Sequence, residues 1–106
     1  MIDWARVAEL RDEVGEDDFG EVIEIFCEEV LDVLDRLDSR NNDEMKTDLH
    51  FLKGSAANIG MQKLSQICED AERVILANGL SEVDLTVLRT TYEESHQAMR
   101  ARSTAD

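Results

Sequence analysis

Asp17-Asp18-Phe19-Gly20-Glu21-Val22-Ile23-Glu24-Ile25-Phe26-Cys27-Glu28-Glu29-Val30-Leu31-Asp32-Val33-Leu34-Asp35-Arg36-Leu37 is the stretch that decides the fold. Phe19, Ile23, Phe26, Val30, Val33 or Leu34, and Leu37 recur at alternating steps of four and three. That is the stripe of a long helix, beginning at Asp17 or Asp18, that buries one face against other helices. Upstream, Ile2, Val7, Leu10 and Val14 mark a short amphipathic helix with Asp3 as N-cap and Gly15 as its stop, too small to be a bundle member alone.

Downstream, Arg40-Asn41-Asn42-Asp43 breaks the pattern, and Asn41 with Glu44 three residues on forms a capping box for the next helix. Met45, Leu49, Leu52, Ala56 and Ile59 are its stripe, and Gly60 is placed to end it. A further helix carries Met61, Leu64, Ile67, Cys68, Ala71, Val74 and Ile75 and stops at Asn78-Gly79. Ser81, with Asp84 at the third position, is placed to cap the last helix, whose stripe is Leu85, Leu88, Tyr92, Ser95 and Met99. Loops this short make successive helices antiparallel neighbours. The expected fold is all-α: an antiparallel up-and-down four-helix bundle with an additional short N-terminal helix. The 106 residues hold one domain, residues 1–106, whose polar end from Arg100 to Asp106 is expected to fray.

Five glycines and no proline suit long uninterrupted helices. A net charge of −14 argues against nucleic acid and anionic membranes as partners, because both demand a basic surface. Protein partners are expected. Cys27 and Cys68 sit singly inside apolar patterns and read as reduced core residues of a cytosolic protein. No apolar run approaches a membrane span, and Met1-Ile2-Asp3-Trp4 lacks the regions of a signal peptide, so a cytoplasmic chain is expected. That it begins with Met1 and is nearly filled by one domain favours a free-standing protein.

At 100° per residue, His50 falls about 140° from the centre of the stripe of its helix and points to solvent. Gly54 and Ala57 lie on the same outward side, one and two turns on, with Lys46 one turn before and Lys53 on the flank. A glycine inside a helix costs about 1 kcal/mol relative to alanine, so Gly54 asks for a reason beyond propensity. Close approach of a partner surface to the imidazole is such a reason. No acidic residue occurs between Asp48 and Glu69, and the neighbourhood holds all three lysines, Lys46, Lys53 and Lys63. A developing phosphoryl charge would be stabilised here and repelled over most of the remaining surface.

His50-Phe51-Leu52-Lys53-Gly54-Ser55-Ala56-Ala57-Asn58-Ile59-Gly60 resembles the H-x-L-K-G-S-x-x-x-x-G signature of the histidine-containing phosphotransfer domains of bacterial two-component phosphorelays. Leu64, Cys68 and Glu72 resemble the L-x-x-x-C-x-x-x-E pattern that often follows it, and Leu10, Gly15, Asp17 and Phe19 fit the short first helix of the family. The resemblance covers about residues 3 to 100. It implies a monomeric phosphorelay intermediate in which His50 takes a phosphoryl group from an aspartyl phosphate of one receiver domain and delivers it to the aspartate of another. By the same resemblance Lys53 steadies the phosphoryl oxygens, Gly54 leaves room for the receiver, and Ser55 is structural. Lys46, Ala57 and Asn58 complete the expected partner-binding face. The implied partners are response-regulator receiver domains and a hybrid sensor histidine kinase. No cofactor is expected on this chain, and Mg2+ is expected in the partner receiver.

The chemistry suits the residue. An imidazole, with an ordinary pKa of about 6.5, offers a neutral ring nitrogen near neutral pH, and a phosphoramidate stays energetic enough to pass its group on. With no glycine-rich phosphate loop or kinase signature, the chain is expected to be a phosphocarrier without an ATP site or autokinase activity. Two other readings stay open on the residues alone. One is a docking module that uses His50 only as a contact. The other is a metal-binding bundle using His50, His96 and carboxylates. Di-metal bundles carry Glu-x-x-His pairs, and Glu93 precedes His96 at that spacing while Thr47 precedes His50. His96 otherwise reads as structural or solvent-facing, and Trp4 and Tyr92 as core or bundle-edge aromatics.

Overall fold

A computed structural model of the chain describes residues 2–37, 41–78 and 84–105. Among them the order is α1 (Trp4–Val14), α2 (Glu16–Arg36), α3 (Asn42–Asn58), α4 (Gln62–Asn78) and α5 (Leu85–Ala105). These residues contain no strand, and no helix is long and apolar enough to cross a membrane. α3 packs on α4, α4 on α5, and α2 on α3, α5 and α1.

The helix ends follow from local chemistry. The Asp3 carboxylate accepts the Arg6 N–H at 3.2 Å and starts α1. Gly15, at φ +88°, lets the chain leave α1 and enter α2 without a break in length. Asn41 and Glu44 form the reciprocal capping box of α3: the Asn41 Oδ1 accepts the Glu44 N–H at 2.9 Å, and Glu44 Oε1 accepts the Asn41 N–H at 3.3 Å. At the other end Gly60 adopts φ +85°. The Met61 N–H reaches back to the Ala56 carbonyl at 2.8 Å and the Gly60 N–H to Ala57 at 3.2 Å, the double bond of a Schellman turn. Ser81, the expected cap of the last helix, lies outside the described residues. At the start of α5, Asp84 Oδ1 accepts the N–H groups of Thr86 at 3.0 Å and Val87 at 3.2 Å. α5 is helical to Ala105, through the segment expected to fray.

The core holds Phe19, Ile23, Val30, Val33, Leu34 and Leu37 of the first stripe together with Cys27. Phe26, expected in that stripe, packs only half-buried against it, while its neighbour Cys27 is buried. The expected stripe of α3 is buried throughout: Met45, Leu49, Leu52, Ala56 and Ile59. Met61, just before α4, and Leu64, Cys68, Ala71 and Ile75 within it are buried, while Ile67 and Val74 are half-buried. Leu88, Tyr92, Ser95 and Met99 line the inner face of α5. Two ion pairs tie helices together at the edges. Arg36 of α2 grips the buried Asp48 of α3, with Nη2 to Oδ1 at 3.1 Å, and Arg89 of α5 meets Asp35 of α2 at 2.9 Å.

Candidate functional site

His50 stands at the middle of α3 with 75% of its side chain exposed. Its exposure follows from the stripe: once Leu49 and Leu52 are fully buried, position 50 has no inward direction left. Gly54 is exposed one turn on, and a Cβ built there meets nothing within 4 Å. Close packing within the chain therefore does not account for this glycine. Ala57 is exposed two turns on, Lys46 is exposed and Lys53 half-buried. The result is an imidazole on a low surface with two cations on its flank, neither of them in a hydrogen bond or ion pair among the described residues.

The acid-free stretch of sequence does not stay acid-free in space. α4 folds back along α3 and returns Glu72 to the site, with Oε1 at 3.8 Å from His50 Nδ1. That distance exceeds a hydrogen bond, yet Glu72 Oε1 is buried and has no hydrogen-bond partner among the described residues. A carboxylate on the Nδ1 side favours the tautomer with the proton on Nδ1, which leaves the Nε2 lone pair directed outward. Lys63, the third lysine of the stretch, projects from α4 on the side away from Ser65 and Glu72 and does not join the site.

The floor is tied to α4 as well. Ser65 Oγ donates to the backbone carbonyl of Lys53 at 3.1 Å. Beneath lies Cys68, fully buried, whose thiol is pushed up to about 12 by burial first and by the Glu72 carboxylate second, with Lys53 opposing. It is an inert protonated thiol. Cys27 is likewise free and buried.

Asn58, expected on the partner-binding face, is engaged within the chain. Arg6 of α1 donates from Nη2 to its Oδ1 and from Nε to its backbone carbonyl, both at 2.9 Å, so α1 clasps the last turn of α3. Arg6 gave no signal in sequence, because the pairing spans 52 residues. Phe51, whose helical angle places it about 120° from the buried centre, has 44% of its surface exposed beside His50. His96 lies apart on α5, half-buried and stacked on Tyr92 with ring centroids 5.6 Å apart. Among the described residues no group of three or more His, Cys, Asp or Glu side chains is assembled that could hold a metal ion.

Residues 21–102 match the family model of the Hpt domain. The chain belongs to the Hpt domain family. This Hpt chain is similar to the phosphorelay intermediate protein YPD1 of Candida albicans (strain SC5314 / ATCC MYA-2876), at 33% identity over 75 residues, 65% of this chain and 41% of YPD1. It thus spans about two fifths of the length of that relative. The relative is fungal, so the family assignment stands without the bacterial origin that the motif resemblance carried. No solved structure matches the Hpt chain. All of α1 and the first turn of α2 precede the matched residues.

Proposed function

We propose that the chain is a phosphorelay intermediate in which His50 accepts a phosphoryl group from the aspartyl phosphate of one receiver domain and passes it to the aspartate of another. The observation that carries this reading is the exposed imidazole of His50, cleared by Gly54 and backed on its Nδ1 side by the unsatisfied Glu72 carboxylate. The Nε2 lone pair attacks phosphorus, the bond from phosphorus to the aspartate oxygen breaks, and the electron pair leaves with the carboxylate. The ring becomes cationic with its proton still on Nδ1, facing Glu72. Onward transfer reverses these steps on the next receiver. Lys53, with Lys46 beside it, offsets charge on the phosphoryl oxygens, and magnesium belongs to the receiver.

On this reading the chain is a phosphocarrier rather than an enzyme with its own ATP site. Its partners are response-regulator receiver domains and a hybrid sensor histidine kinase, with no part for nucleic acid or membrane. It acts in the cytoplasm as a monomer, α2 to α5 forming the antiparallel bundle and α1 bracing one end. Incubation with a radiolabelled phospho-receiver and magnesium tests it. Label on the wild type should be acid-labile, alkali-stable and absent from His50→Gln; label that persists in that variant overturns the proposal.

A further inference from the structure

The groove between α3 and α4 does not end at His50. Toward the α3–α4 turn it opens into a pocket of about 230 Å3, bordered by Asp3, Ala57, Gly60, Gln62, Gln66 and Glu69. At about 30 Å3 for a water, that is room for several waters or for one long side chain. Ala57 lies two helical turns beyond His50, about 10 Å along α3, and Glu69 lies one turn before Glu72 on α4. A standard partner footprint of about 800 Å2, roughly 16 Å in radius, centred on His50 therefore covers the pocket.

The two halves of this groove carry opposite charge. Lys46 and Lys53 stand at the His50 end. Among the described residues no basic one borders the pocket, which presents the carboxylates of Asp3 and Glu69 and the side-chain amides of Gln62 and Gln66. Glu69 and the Gln62 side chain have no hydrogen-bond or ion-pair partner among the described residues, and Asp3 gives one oxygen to the Arg6 N–H and keeps the other. The first turn of α4 acts the other way, but a helix N-terminus is worth about half a positive charge and two carboxylates outweigh it.

Resting on the phosphotransfer reading, we propose that this pocket orients the receiver domain by accepting one of its cationic side chains, an arginine or a lysine, while the acidic phosphate-bearing site of the receiver lies against Lys46 and Lys53. Two contacts of opposite sign about 10 Å apart define one docking orientation, and the reversed one would set like charges together at both ends. Asp3 comes from the segment before the matched residues 21–102, so one wall of the pocket is supplied from outside the family segment.

The test uses the full chain and the receiver that loads wild-type His50 fastest, comparing wild type, Glu69→Gln and Glu69→Lys. Glu69 is exposed on α4, and helical circular dichroism should match in all three. At low salt, Glu69→Lys should slow second-order transfer about five- to tenfold and Glu69→Gln about twofold, the range of one or two exposed ion pairs. The rate at saturating receiver should not change. The gap should close at about 1 M salt, where the screening length falls to about 3 Å. A basic residue on the receiver whose reversal to Glu restores transfer to Glu69→Lys would identify the group in the pocket. Equal second-order rates at low salt, or a deficit that survives saturation and high salt, overturn the pocket while leaving His50 as the acceptor. A wild type that takes no label from any receiver overturns both.

Discussion

His50 and His96 are the two histidines of one bundle, and their surroundings are opposite. His50 is mostly in water, yet organised groups surround it: a carboxylate on its Nδ1 side, a cleared backbone at Gly54, and lysines on its flank. His96 is half-buried, its ring lies on Tyr92 at an interplanar angle of 21°, and its Nε2 is buried without a partner among the described residues. A buried ring nitrogen with nothing to meet has no route to a substrate. On the proposed reading, exposure combined with a second residue that selects the tautomer suits His50 to act as the nucleophile. The difference lies in the neighbours, since the residue type is the same.

The largest test of that difference is direct substitution. His50→Gln should abolish phosphoryl labelling, a loss of several orders of magnitude, whereas His96→Gln should keep it within about twofold, because the proposed function makes His50 the acceptor. Comparable losses in both, read by phosphotransfer from a labelled receiver, would erase the distinction. A second test concerns the buried layer beneath His50. With the Cys68 thiol held at about 12 against an ordinary 9.0, its thiolate fraction at pH 8 should be about a thousandfold lower than that of a free thiol. Alkylation should wait for unfolding; fast modification of the native protein would show that the site is open from below.

The raised values also have a sign for stability. Burial raises the Cys27 and Cys68 thiols and the Tyr92 phenol, so their protonated forms are favoured in the folded state. The stabilisation is complete below the ordinary thiol range and is lost as pH climbs above about 9 through the folded values. Urea midpoints should be flat toward neutral pH from these groups and fall on the alkaline side.

Glu72→Ala should slow loading of His50 about tenfold, about 1.4 kcal/mol for a charge-assisted contact that is partly exposed, with little change in stability. Removing a carboxylate near His96, such as Glu93→Gln, should not alter the rate. Smaller again is the effect at Gly54. Gly54→Ala and Gly20→Ala both replace an exposed helical glycine with open space around the new Cβ, and each should stabilise the fold by about 0.5–1 kcal/mol. Only Gly54→Ala should slow transfer, a few-fold, because only that methyl group faces the partner. Last, His96→Phe keeps the ring on Tyr92 and removes the unpaired nitrogen, so stability should stay level or rise by up to about 1 kcal/mol. A larger loss in thermal unfolding would mean that Nε2 is satisfied by ordered water and that the seam is a polar network.

Much of this was legible along the chain. The stripes of α2 and α3, the Asn41 capping box and the Gly60 turn are local, set by residues three or four apart, and each is found where the spacing puts it. The outward direction of His50 is legible for the same reason. Cys27 is buried as its apolar surroundings imply, while Phe26 is covered only in part, because the neighbouring helices decide how much of each position they cover. The start of α5 is capped by Asp84 because its carboxylate reaches two backbone N–H groups directly. Arg6 on Asn58, Ser65 on the Lys53 carbonyl and Glu72 beside His50 could not be read this way. Each joins helices whose relative rotation no local spacing specifies.

The sequence by itself determined five helices, their buried faces, and a histidine facing solvent with a glycine and lysines at helical spacing, since periodicity and capping act over a few residues. Only the tertiary structure decided that Glu72 returns to His50, that Asn58 is held by α1, and that Asp3 and Glu69 border one pocket down the same groove. Those relations depend on how α1 and α4 lie against α3, which packing of whole helix faces sets.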